Sequence, residues 1–168
     1  MLFPPLLLAL FLNLLISTSN AITDKNQLSK NVIKDFLYLQ NKARSALGVP
    51  PLVWDINLAR YADLYARQRQ QDCLLKHSNG PYGENIFWGS GDGWSPTQAA
   101  AAWVAERRWY AYGSNSCNGG QDCGHYTQIV WKKTTRIGCA RVICFQGKGV
   151  FMTCNYDPPG NYIGEKPY

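Results

Sequence analysis

The 168-residue chain carries 17 Lys and Arg against 11 Asp and Glu, a formal charge of +6, and six cysteines. Its basic residues are scattered, with only short pairs such as Arg107-Arg108 and Lys132-Lys133, so the basic stripe that nucleic acid needs is missing and nucleic acid is excluded as a partner. A solvated basic surface, compatible with anionic cell walls or membranes, is the plainer reading.

Residues 1–21 contain no charged side chain, and Leu6 to Ile16 is apolar except for Asn13. The run is too short to cross a bilayer, which takes about 20 apolar residues. It reads as a secretory signal peptide cleaved after Ala21, leaving residues 22–168 as one domain, taken as a monomer. From Leu28 to Leu47, Val32, Phe36, Leu39, Ala43 and Leu47 recur every three or four residues, and Gly48 and Pro50-Pro51 stop the pattern. This is a first amphipathic helix. Asp55 can cap a second, with Leu58, Ala62, Tyr65 and Arg69 along one face before Cys73. The segment His77 to Trp94 is rich in Gly, Ser and Asn, yet it holds Tyr82, Phe87, Trp88 and Trp94. It is expected to be a long ordered loop whose aromatics either contact a lipid or pack on the domain.

Ser95-Pro96-Thr97-Gln98 is a capping box with proline at the first helical position. A third helix should follow to about Tyr112, with Ala99, Ala102, Trp103, Glu106 and Tyr110 inward. A buried carboxylate is costly without a partner, so Glu106 must find one or line a cavity. Three strands then complete the chain: His125 to Trp131, Ile137 to Phe145 and Val150 to Tyr156, the last two forming a hairpin around Gln146-Gly147. Helices before and between strands, without βαβ alternation, indicate an α+β layered domain.

The six cysteines (Cys73, Cys117, Cys123, Cys139, Cys144 and Cys154) are even in number and include no CxxC, which points to three disulfides and an oxidising compartment. If Gln146-Gly147 is a two-residue turn, Cys139 lies opposite Cys154. Cys144 is an odd number of residues from Cys139 and points to the other face, where Cys73 is the candidate partner. Cys117 and Cys123 are left to close a short loop, unless a bulge shifts the register.

His77, Glu84, Glu106 and His125 are ionisable residues at positions where a bland sequence would place something else. Around one cleft they support three readings: a hydrogen-bonded cluster that pins loop, helix and strand, a site for a divalent metal such as zinc, or acid and base catalysis. No HExxH and no pair of histidines one helical turn apart strengthens the metal reading. Ser78 adjoins His77, but sequence neighbours point apart and no Gly-x-Ser-x-Gly elbow exists.

The stretches "GHYTQIVWKKT" and "FMTCNYDPPGNY", the segment "HSNGPYGENI" and the ending "GNYIGEKPY" resemble the signature motifs of the CAP superfamily of cysteine-rich secretory, antigen 5 and pathogenesis-related class 1 proteins. They are most like those of a plant class 1 protein. The resemblance covers about Leu28 to Tyr168. It implies a three-layer α-β-α sandwich with a mainly antiparallel sheet. It also implies a tetrad of His77, Glu84, Glu106 and His125, and disulfides Cys73–Cys144, Cys117–Cys123 and Cys139–Cys154. It further implies a non-enzymatic defence protein acting on fungi and oomycetes by binding a sterol or other lipid of a pathogen membrane or cell wall. A metal is not a general requirement, and a metal-dependent hydrolase using the tetrad is the alternative. "CNYDPPGNYIGEKPY" is similar to the pattern from which some relatives release a signalling peptide, here by cleavage between Asp157 and Pro158 to free residues 158–168. No vacuole-directing extension follows Tyr168, so secretion to the apoplast is expected.

Overall fold

The structure is a computed structural model that describes residue 27 and residues 29–168. The expected signal peptide at 1–21 lies outside the described residues. The chain divides into two compact units, residues 1–34 and 35–168. In the first, residues 29–34 are helical, and Gln27 donates to Asn31 Oδ1 at 3.1 Å, one helical turn away.

In the second unit, helix α1 (residues 35–45) buries Phe36, Gln40 and Arg44, a stripe at four-residue spacing. The apolar stripe expected from the sequence sits to one side of it, with Leu39, Ala43 and Leu47 only half-buried. Strand β1 (Val53–Trp54) leads into α2 (Ile56–Arg69), where Asp55 accepts the N–H groups of Asn57 and Leu58 at 2.8 and 3.2 Å, as a capping aspartate should. The segment expected to be a loop contains β2 (Gly83–Gly89), so Glu84, Phe87 and Trp88 lie on a strand. Its glycines and asparagine hid the pattern. Gly83 is kept free of a side chain because Gln128 occupies the space where a Cβ would stand.

Helix α3 (Pro96–Ala105) begins with the complete capping box, Ser95 and Gln98 each accepting the other's backbone N–H. It stops seven residues short of the expected end. A 3-10 turn (Glu106–Trp109) and a small hairpin of β3 (Tyr110–Ala111) and β4 (Ser116–Cys117) replace its last turns. Ala99, Ala100 and Trp103 are buried, whereas Ala102, expected inward, is exposed.

The largest departure is at "GHYTQIVW", where Gly124–Ile129 form helix α4 and not a strand. Tyr126, Ile129 and Val130 are buried at a helical spacing of three and four, a period the Thr, Ile and Val residues mask by their strand preference. Strands β5 (Arg136–Ile143) and β6 (Val150–Asp157) form the expected hairpin, and Cys139 does face Cys154. Pairing ends at Ile143 and Val150, so the turn is wider than two residues and includes Gln146 at φ 58°.

The sheet runs β1-β5-β6-β2, with β1 parallel to β5 and the other pairs antiparallel. On one face, Ala62 and Ala66 of α2 pack on Ile86, Ala140, Val142 and Phe151. Toward the other face come Gln40 of α1, which accepts the Tyr156 hydroxyl, Trp103 of α3, which donates to the Ile86 carbonyl, and α4. These are the three layers of the α-β-α sandwich. Three disulfides, Cys73–Cys144, Cys117–Cys123 and Cys139–Cys154, tie the segment after α2 to the end of β5, β4 to the start of α4, and strand to strand.

Helix α2 approaches the sheet closely at Gly138, where an added Cβ would lie 2.1 Å from the Ala59 backbone nitrogen. Backbone on both sides leaves nothing flexible to yield. Gly138→Ala is therefore expected to destabilise the protein by about 3 kcal/mol through overpacking, read as a lower midpoint in urea unfolding.

Candidate functional site

The four residues singled out in the sequence come together as two His–Glu pairs. His77 Nδ1 lies 2.8 Å from Glu84 Oε1, and His125 Nδ1 lies 2.6 Å from Glu106 Oε1.

The first pair stands beside α2. Glu84 is nearly buried while the His77 ring is half-exposed. Glu84 also accepts the Ser78 N–H at 2.9 Å and the Asn155 side-chain amide at 3.3 Å. The segment carrying His77 is held to α2 by the Tyr65 hydroxyl, which donates to the Lys76 carbonyl, and by Tyr61, which donates to Ser78 Oγ at 3.3 Å. The hydrogen bond to Glu84 raises the His77 pKa above its ordinary 6.5, against the opposing effect of burial. Burial pushes Glu84 up, but hydrogen bonds from His77 and Ser78 outweigh it and hold the carboxyl below its ordinary 4.5.

The sign of each shift sets a pH window. The contribution of His77 is complete below pH 6.5 and is lost as pH rises through its raised folded value. That of Glu84 is complete above pH 4.5 and is lost as pH falls through its lowered folded value. The melting temperature of wild type should thus exceed that of His77→Gln most between pH 4.5 and 6.5, with the gap narrowing on both sides. Calorimetry across that range checks this.

The second pair belongs to the start of α4. Cys123 precedes that helix and offers no side-chain cap. Glu106 does the capping from a distant element: its Oε2 accepts the N–H groups of His125 and Tyr126 at 3.0 and 3.2 Å, while Oε1 meets the His125 ring. The Trp103 and His125 rings stack at 6.0 Å, and Asn85 of β2 donates to the His125 carbonyl at 3.1 Å. At the other end of α4, the Arg44 guanidinium donates to the carbonyls of Ile129, Trp131 and Thr134 at 2.9, 2.8 and 2.7 Å. A six-residue helix has little stability of its own. A carboxylate at its N-terminus and a guanidinium at its C-terminus satisfy its open backbone groups with the charges its dipole favours.

Successive residues of β2 point to opposite faces of the sheet, so Glu84 reaches the α2 side while Asn85 reaches α4. Among the described residues, no group of three or more His, Cys, Asp or Glu side chains is placed to hold a metal ion. Each carboxylate already accepts three hydrogen bonds, and each histidine uses its Nδ1 on its own glutamate. A metal held by all four residues would have to compete with these hydrogen bonds. The Ser78 hydroxyl, next to His77 in sequence, accepts from the Tyr61 hydroxyl and the Gly80 N–H.

The four aromatics of the His77–Trp94 segment, expected either to contact a lipid or to pack on the domain, make separate contacts. Tyr82 packs edge-on to Tyr61, and Phe87 packs on Trp94. Trp88, on the opposite face of β2 from Phe87, is exposed and donates to the Lys148 carbonyl. A cavity of about 370 Å³ lies elsewhere, between the chain's last residues and the α4 region. Tyr110, Thr127 and Trp131 line one side, and Asn161, Tyr162 and Ile163 the other. Arg44, Asn85 and this cavity went unnoticed in the sequence; the apolar pair Tyr162-Ile163 in a polar tail was the only local sign.

A disulfide-tied α-β-α sandwich with paired histidines and glutamates describes a class of proteins, and the match to the cysteine-rich secretory protein family (CAP) over residues 37–156 places the chain in it. This chain belongs to that family. It is 58% identical over 165 residues to pathogenesis-related protein PR-1 of Medicago truncatula, covering 95% of both chains. It is 55% identical to pathogenesis-related protein PRMS of Zea mays, covering 83% of this chain and 84% of that one. The kinship is thus with the pathogenesis-related 1 type. Among solved structures, NaASP2 with Zn2+ superposes with a TM-score of 0.63 at 26% identity, over 82% of this chain and 84% of that one.

Proposed function

We propose that this chain is a secreted plant defence protein of the pathogenesis-related 1 type, acting on fungi and oomycetes by binding a sterol or similar lipid and not by catalysis. The tail cavity is the observation that carries the lipid reading. Its volume falls in the range of small-molecule sites, and Ile163 at its edge is fully exposed beside half-exposed Tyr162. Apolar side chains standing in water next to a cavity are surface a lipid can cover. Three disulfides support an extracellular home such as the apoplast, and the +6 charge suits approach to anionic surfaces. The non-enzymatic reading draws on the two His–Glu pairs, whose ring Nδ1 atoms and carboxylates are committed to holding backbone in place.

A second role follows from Asp157-Pro158, at the end of β6, where cleavage would free residues 158–168 as a signalling peptide. Titration with a fluorescent sterol tests the main reading. Binding should saturate, and Ile163→Asp should weaken it about tenfold by removing the apolar cover of one side chain without lowering stability. Absence of saturable binding, or equal binding by Ile163→Asp, would overturn the reading.

A further inference from the structure

Beyond Cys154 no disulfide holds the chain, yet the tail is bound along much of its length. Thr134 donates to the Pro158 carbonyl at 2.8 Å, and the Gly160 N–H donates to Gln128 at 3.0 Å. Gly160 sits so close to Trp131 that a Cβ there would lie 2.6 Å from the indole. Asn161 accepts the Thr127 hydroxyl at 2.7 Å and donates its amide to the Gly124 carbonyl at 2.9 Å. Asn115 donates to the Glu165 carbonyl at 3.0 Å, and the Lys132 N–H donates to that of Pro167 at 2.6 Å.

The last two residues are anchored most firmly. Pro167 is buried. The Tyr168 ring stacks on Tyr112 at 5.0 Å and meets Tyr110 edge-on at 6.3 Å. An aromatic anchor at the end of a chain whose backbone groups are met by side chains of the host is how a bound peptide is held.

We propose that the groove formed by the β3–β4 hairpin, α4 and residues 131–134 is a peptide-binding site, and that its occupant is the segment 158–168. Cutting after Asp157 then yields a nicked complex. An external protease adds water across the Asp157–Pro158 amide, leaving a carboxylate on Asp157 and a secondary ammonium on Pro158. Neither product is thereby expelled. Release is a separate, reversible dissociation, and the same peptide rebinds in trans. The biological use of this step rests on the peptide-release reading above; the docking itself does not.

The test uses the full chain with a specific protease recognition sequence inserted between Asp157 and Pro158. After complete cutting, shown on a denaturing gel, the tail should co-elute with the body in native gel filtration and separate only in urea. A labelled 158–168 peptide should exchange into the nicked protein. Tyr168→Ala should speed dissociation about tenfold by removing the stacked ring. The proposal is overturned if the cut tail elutes free, if cutting unfolds the body, or if Tyr168→Ala leaves dissociation unchanged. Uncut wild type incubated with extracellular proteases is assayed separately for residues 158–168. No cutting there would sink the release reading and leave the docking result standing.

Discussion

Arg44→Ala is expected to destabilise the protein by about 4 kcal/mol, more than any other single change considered. The guanidinium is fully buried and donates to four carbonyls, those of Pro50, Ile129, Trp131 and Thr134. No carboxylate among the described residues pairs with it. Burial lowers its pKa to about 10, so it stays charged at neutral pH, stabilised by carbonyl dipoles. Removing it strands those acceptors in a dry interior at about 1–3 kcal/mol each before relaxation. Lysine, with three donors on a point charge, cannot reproduce the planar fork. Arg44→Lys should therefore recover less than half of the loss, as measured by urea unfolding.

Glu106→Ala should cost about 3 kcal/mol, because two helix N–H groups and the His125 ring lose their acceptor together. Its mark is local. Amide exchange at His125 and Tyr126 should accelerate, while exchange in the β5–β6 hairpin follows only the change in global stability. Glu106→Gln keeps one oxygen for the backbone donors and should lose about 1 kcal/mol. Equal losses for Gln and Ala would mean that the charge, not the acceptor, holds α4.

The cap at Asp55, the box at Ser95 and Gln98, and the Cys139–Cys154 register were legible because each depends on residues close in sequence or on the period of a strand. Glu106 was also legible, since a carboxylate on an inward helix position demands a partner. The nature of α4 was not. Its Thr, Ile and Val favour a strand locally, and the groups that make it a helix, Glu106 and Arg44, lie 19 and 85 residues from where they bind. Strand β2 was hidden for a related reason: its glycines and Asn85 answer to Gln128, Trp94 and Tyr156 across the fold and not to local propensity. The polar stripe of Gln40 and Arg44 broke the rule that a buried helix face is apolar, and only the carbonyls and the tyrosine it meets explain why.

In the proposed function the His–Glu pairs support the fold while the protein binds lipid without turnover. The direct measurement is a sterol titration of wild type and His125→Ala, run with a peptide-hydrolysis assay in the presence and absence of zinc. The expected result is saturable binding equal within about twofold in the two proteins and no hydrolysis under either condition. Zinc-dependent hydrolysis that Glu106→Gln abolishes would contradict it.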